Sequence, residues 1–389
     1  MKWNSIRTKV LAVLAVCLAV GVGGTLMLLN YSFAKNSQAL AVESVAGAQR
    51  LFNILETREI SKMTAVSDTL VLNQRVRDAF AARDRGLLLT LNAPLYSELK
   101  TQGITNWMFH TPEPDMAVFL RLHSPQKFGD PLNRFIDKEV VRTHAIVAGN
   151  ELAKAGFALR IIRPFPGPDG KLIGYVEFGE EIGRFIHEMK KQTGDDYGLL
   201  LNKRFVNPKF WADTSSSLHR RDNWADNPTF VVADKTSATE SIIQFQGDLA
   251  NVAGSGKVLD RFNDGDSVFV RGIFPILDAA NNTVGAMFVV RDISGVYRSM
   301  RNTQNMLLTV SVAGLLLVAV LMLTLLNRLI FRRLDRIIVV ATRVVGGDFQ
   351  TEIHVGSPDE IGRFEQLFEQ FRCVFVDLLT NVPELQEKD

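Results

Sequence analysis

The sequence predicts an α+β chain: two copies of one small α/β module carried on a long helix, bracketed by two membrane-crossing helices and followed by an all-α coiled-coil module. Three observations predict it. Charge-free apolar runs stand near opposite ends of the chain, a strand–turn–strand pattern recurs at a fixed offset, and the C-terminal segment spaces its apolar residues as a helical seam does.

From Val10 to Leu29 and from Met306 to Leu326 no residue is charged. Each run is about 20 residues, enough to cross a hydrocarbon core of roughly 30 Å as a helix. The first could instead be a cleaved signal peptide, but it is longer than the usual apolar region of one and lacks an Ala-x-Ala end. Leu14-Ala15-Val16-Cys17 resembles a lipid-attachment box only superficially, since the apolar run continues past the cysteine. Lys2, Arg7 and Lys9 precede the first span, and Arg328, Arg332, Arg333 and Arg336 follow the second. Basic flanks stay in the cytoplasm. The chain therefore divides into a cytoplasmic N-terminus (1–9), a first span (10–31), an exported region (32–303), a second span (304–326) and a cytoplasmic C-terminal part. The only cysteines are Cys17 and Cys373, so the exported region has no disulfide and must bury its own core. A net charge of +2 offers no footprint for nucleic acid.

After Tyr31 a long helix is expected. No glycine or proline lies between Gly47 and Gly86, and Leu51, Leu55, Val66 and Leu70 suit one apolar stripe. Past Gly103 the pattern changes to strands: 104–109, 116–123, 158–165 and 172–178, with Pro168-Asp169-Gly170 turning the last two into a hairpin. A helix over 182–192 follows, then a strand at 197–201 and a second hairpin from 268–276 and 283–290. The two hairpins repeat. Arg160, Pro164 and Gly174 recur as Arg271, Pro275 and Gly285, and Glu181-Ile182 as Asp292-Ile293, all at an offset of 111 residues. Two copies of one module are expected, a distal one over about 95–194 and a proximal one over about 195–303.

In the C-terminal part, Leu334, Ile337, Ala341 and Val344 follow a 3-4-3 spacing. Ile361, Phe364, Phe368, Phe371, Phe375 and Leu378 follow 3-4-3-4-3, a seam that needs partners to bury it. Gly347-Asp348 ends the first helix and Asp359 is placed to cap the second. Residues 327–379 thus resemble a HAMP domain, leaving a short tail at 380–389. The resemblance implies that Ile353 and Val355 plug a helical bundle, that Asp359-Glu360 opens the second helix, and that Phe371 lies in a parallel homodimer's seam. Arg333 stands where such domains commonly carry proline.

Tandem α/β modules entered by a long helix from one span and leaving into another resemble the double Cache sensors, PAS-like extracytoplasmic domains of bacterial chemoreceptors, sensor kinases and cyclase receptors. The segment Val118-Phe-Leu-Arg-Leu-His-Ser-Pro-Gln-Lys-Phe-Gly-Asp130 is similar to the first module of one subgroup, and the resemblance extends over 32–303. It implies a multi-pass protein of the bacterial inner membrane, N-in and C-in, with 32–303 in the periplasm or outside the cell. It also implies one sheet face on the long helix and the other forming a pocket. By alternation Met116, Val118, Leu120 and Leu122 suit the core, which leaves Phe119, Arg121 and His123 opposite. In the hairpin Val176 and Phe178 face one way, Tyr175 and Glu177 the other, with Arg160 beside them. Arginines offer a carboxylate a planar fork and Glu177 could hold an ammonium, so an amino acid or small organic acid is the expected ligand. The plainer alternative is an internal Arg–Glu ion pair without any ligand. The proximal strand 285–290 is apolar on both sides, so no second polar face is expected there.

No catalytic set is legible, and neither a cofactor nor a metal is expected. His187-Glu188 begins like a zinc-protease motif, but position 191 is lysine. A tethered hydrolase and a regulatory membrane protein with no ligand of its own remain as alternatives. Too few residues follow the HAMP-like segment for an output domain. Either a separate chemoreceptor, histidine kinase or cyclase is the output partner, or the chain is a shortened form of a longer receptor.

Overall fold

A computed structural model describes residues 6–153, 156–217, 219–237, 245, 247–354, 356 and 358–381. The chain divides into two compact units, Lys35–Arg298 and the combination of Met1–Ala34 with Ser299–Asp389.

Helix α1 runs over Ile6–Leu72. The long helix expected to reach Gly86 stops earlier because Asn73 interrupts it: its side-chain oxygen accepts from the Val76 amide and caps α2 (Gln74–Ala81). Asp84 then accepts from Leu87 to start α3 (Arg85–Thr101). Short polar side chains that satisfy free amide donors make helix starts rather than helix interiors.

The strands of the larger unit form two five-stranded antiparallel sheets. The first is ordered β2-β1-β5-β4-β3, from β1 (Ile104–His110), β2 (Val118–Arg121), β3 (Val147–Ala153), β4 (Gly156–Pro166) and β5 (Leu172–Glu181). Helix α4 (Phe135–Thr143) lies between β2 and β3 in sequence, and α5 (Gly183–Thr193) follows β5. The second sheet is ordered β7-β6-β10-β9-β8, from β6 (Asp196–Asn202), β7 (Phe230–Lys235), β8 (Lys257–Asp264), β9 (Ser267–Leu277) and β10 (Thr283–Asp292), with α6 (Pro208–Ser217) between β6 and β7. The two strand orders are equivalent position by position.

The repeat persists down to register. Pro164 pairs with Tyr175 and Arg160 with Gly179 in the first hairpin; Pro275 pairs with Ala286 and Arg271 with Val290 in the second, each residue displaced by the same offset. Both hairpins also carry their register shift at the matching place, after Phe165 and after Ile276. Gly174 and Gly285 stand at these shifts for a steric reason: a Cβ there would lie 2.2 Å from the His110 carbonyl oxygen and 2.5 Å from that of Leu200.

One face of each sheet packs on α1. Val45, Ala48, Phe52, Leu55, Met63 and Leu70 share a single buried cluster with Trp107, Phe109 and Phe178 of the first sheet and Leu199, Phe274 and Met287 of the second. The helix approaches β9 so closely that a Cβ on Gly272 would lie 2.1 Å from the Val45 side chain. The opposite face of the second sheet is closed by an apolar cluster of Leu200, Phe230, Ile273 and Phe288.

Helix α7 (Ser294–Leu326) begins at the end of the larger unit and, in the smaller, passes through a π-helical stretch at Asn327–Phe331 into α8 (Arg332–Val345), and α9 (Glu360–Asn381) follows a connector. The first part of α1 and α7 are each long and apolar enough to cross a membrane.

Candidate functional site

The face of the first sheet turned away from α1 carries a concentration of charge. Register places its members: Met108 of β1 pairs with Arg121 and Glu177, His110 with Val118 and Tyr175, Glu177 with Ile162, and Arg160 with Gly149. Two-residue periodicity adds Glu151 from β3. The N-terminal end of α4 completes the group with Arg134 and Asp137, while Ile136 and Val140 of that helix pack on Ile162 and Tyr175.

Glu177 is the centre. It is fully buried, and its two oxygens accept 2.6 Å bonds from Arg160 and Arg134. Arg134 also grips Asp137 at 2.7 and 2.8 Å and approaches Glu151 at 2.9 Å, so it ties the helix to the sheet. Glu151 lies 3.6 Å from Arg160. His110, also fully buried, places Nε2 3.3 Å from Glu177 and makes no hydrogen bond through either ring nitrogen.

Electrostatics separates these acids. Burial favours a neutral Glu177, but Arg134, Arg160 and His110 outweigh it and hold the carboxyl far below the ordinary range. At Glu151 burial wins over the same two arginines, and the carboxyl is pushed up to about 7. Burial lowers His110 to about 4, against the pull of Glu177. Two guanidiniums thus face three carboxyls, and Glu151 is the one left in excess. His110, Asp137 and Glu177 bring one ligand atom each within 4.8 Å of one another, a spacing that suits a cation. Arg134 already bonds both carboxylates and serves as that cation, so the set does not fit a metal.

Tyr175, Glu177 and Arg160 lie on this face, and Tyr175 donates to Glu113 through its hydroxyl. Arg121 lies on it too, but pairs with Asp130 at 2.6 Å and donates to the Lys127 carbonyl. Phe119 does not: a bulge between the Phe109–Leu120 and His110–Val118 pairs sets it against Phe80, with ring centroids 5.6 Å apart. The same bulge overturns the expected core face of that strand. Leu120 and Leu122 join the α1 side, whereas Val118 pairs with His110, and Met116 packs with Ile162 and Tyr175. His123 lies past the strand end and is exposed.

His110, Arg134, Asp137 and Glu151 escaped the sequence reading. Asp137 accepts from the Arg134 amide at the start of α4, but arginine is no ordinary helix-start residue, and α4 and β3 are short elements for periodicity to reveal.

In the C-terminal pair of helices, Gly347 has a φ of +92° and ends the first helix's exit turn, and Asp359 accepts from the Gly362 amide at 2.7 Å as a cap. Ile353 is half-buried, its amide donating to Glu369, and Glu360 is exposed. Val355 lies outside the described residues. Phe371 is 59% exposed, and Phe364 and Leu378 are exposed with it. The buried side of α9 is instead polar. Arg333, at the position expected to hold proline, is buried and grips Asp359 at 2.8 Å and Glu365 at 3.2 Å.

Residues 54–226 match the family described as the double sensory domain of two-component sensor kinase. The match begins within α1 and takes in the whole first sheet, α5, β6 and α6. No curated protein sequence matches the chain. Among solved structures, the periplasmic domain of Vibrio cholerae LuxQ is similar at 11% identity with a TM-score of 0.39, covering 63% of this chain and 98% of that one. The sensor domain of the V. cholerae histidine kinase DctB is similar at 9% identity and a TM-score of 0.36, covering 66% and 98%. The ligand-binding domain of the Campylobacter jejuni chemoreceptor Tlp3, solved with L-valine, gives 10% identity and 0.29, covering 66% and 95%.

Proposed function

We propose that the chain, of which residues 54–226 match a double sensory domain, is a membrane-anchored sensory receptor of the double Cache kind. The exported region receives a small solute, and the C-terminal helices pass a conformational signal to an output protein. The observation that carries the reading is Arg134, which bridges a roofing helix to the polar face of the first sheet through Glu177, Glu151 and Asp137. A solute with a carboxylate competes for the guanidinium, and one with an ammonium competes for the excess acid. An amino acid has both, which makes this class the leading ligand. Exchange of protein–protein ion pairs for protein–ligand ones shifts a two-state equilibrium only by the difference between them, so binding at this place moves α4 relative to the sheet.

Relay follows from the second set of residues. The exposed stripe of Phe364, Phe371 and Leu378 is large for a surface left in water, and a second copy of the same helices covers it as a parallel homodimer in the manner of a HAMP bundle. Gly347, Ile353 and Asp359 shape the connector between the two helices of each copy, and Glu360 opens the second.

The test is a thermal-shift screen of the full chain in detergent against amino acids and small mono- and dicarboxylates. The expected result is stabilisation by an amino acid, lost in Arg134→Ala. Stabilisation that survives Arg134→Ala moves the site elsewhere. The absence of any hit favours the cluster as an internal ion-pair brace.

A further inference from the structure

Strand β3 is the edge of the first sheet, and its two sides serve different partners. Glu151 joins the charge cluster. Its neighbour Asn150 points the other way, is buried, and spans three elements. The Asn150 side-chain amide donates to Glu56 of α1 at 2.5 Å and to the Leu277 carbonyl at the end of β9 at 3.2 Å. Its backbone carbonyl accepts from the Ala279 amide at 2.9 Å. The approach is close enough that a Cβ on Gly149 would lie 2.8 Å from the Ala279 Cβ. The turn that docks here is stiff in itself. The Asp278 carboxylate accepts from the Ala280 and Asn282 amides at 2.9 and 2.8 Å, and the Asp278 amide donates to the Asn282 carbonyl. The returning strand, β10, leads directly into α7, and that junction is fastened by the Ser294 hydroxyl accepting from the Val268 amide at 2.8 Å.

We propose that β3 and the β9–β10 turn form a coupling contact that carries the state of the buried charge cluster to the strand entering α7, with Asn150 as its positioning residue. Glu151 and Asn150 are adjacent on one edge strand, so a change that shifts the first shifts the second. The stapled turn can follow only as a body. A coupling pathway needs an element with two arrangements that both ends bias, and this edge strand is the element offered. The contact does not depend on which ligand the cluster receives.

Hydrogen exchange of the full chain in detergent, read at the Ala279 amide, tests it. In the wild type this amide is protected, and Asn150→Ala speeds its exchange about tenfold while central β9 amides stay protected. Disturbing the cluster with Arg134→Ala, or more gently with Glu151→Gln should Arg134→Ala not fold, also speeds exchange at Ala279. In the Asn150→Ala background neither change has any further effect. An Ala279 amide unprotected in the wild type overturns the proposal. So does one that ignores Glu151→Gln, or that responds to it equally with Asn150 absent. A ligand screen without hits alongside the expected exchange pattern defeats the ligand reading and leaves the coupling contact standing.

Discussion

Glu177 is buried because two arginines and a histidine surround it, and its removal exposes what such a cluster costs. Arg134 and Arg160 are then left in a dry environment facing only Glu151 and Asp137. Breaking a buried ion-pair network by deleting one member is worth about 3–5 kcal/mol. Glu177→Ala is therefore expected to lower the stability of the exported unit by that order, measured by denaturant unfolding followed through tryptophan fluorescence. Titration gives a second expectation. A carboxyl whose folded pKa is raised binds its proton more readily when folded, so its stabilising contribution grows as pH falls. Glu151 is raised to about 7 by burial, and Glu180 is raised by burial and by the neighbouring Glu59. His110, lowered to about 4, acts oppositely and costs stability below its usual 6.5; Glu177, held low, does so below 4.5. Between pH 8 and 6.5 the two raised carboxyls outweigh His110 and His123, whose unfolded forms have only begun to take up protons. Tm is expected to rise as pH is lowered across that window and to fall again below about 4.5, and Glu151→Gln should flatten the first limb.

At the scale of elements, the hairpins carry the most constrained backbone. Gly174 and Gly285 occupy equivalent positions where a side chain would strike the carbonyl of the adjacent strand. Alanine at either is expected to destabilise by on the order of 2 kcal/mol or more by forcing the strands apart, whereas alanine at the exposed Gly254, with open space around its Cα, should change little. Differential scanning calorimetry of the three variants checks this. Helix α9 makes the complementary case. Its polar residues Glu365, Glu369 and Arg372 turn toward the connector, with Arg372 donating to the Phe349 carbonyl, and Phe364 and Phe371 turn outward. Phe371→Glu is expected to abolish crosslinking through the native Cys373, which is exposed on the same helix. Undiminished crosslinking would count against the dimer.

For the whole molecule, the basic residues flanking both apolar helices are expected to keep the two ends on one side of a membrane and residues 32–303 on the other. Reporter fusions at Ser215 and after Asp389 are expected to give opposite compartments, and equal signals would defeat the receptor reading. Much of the fold was legible in the chain alone. Apolar helices, strand alternation and the repeat are local or periodic properties, so Arg160, Tyr175 and Glu177 could be set on one face from the two-residue period. The matching register of the two hairpins was implicit in the shared offset. What the tertiary structure decided depends on contacts between segments distant in sequence. The bulge at Phe119 reverses the face of Val118 because β2 must pair with β1, which no pattern within β2 records. Arg134 and Asp137 belong to the charge cluster only because α4 folds back over the sheet. Periodicity states which side of an element a residue takes; only packing states what stands opposite it.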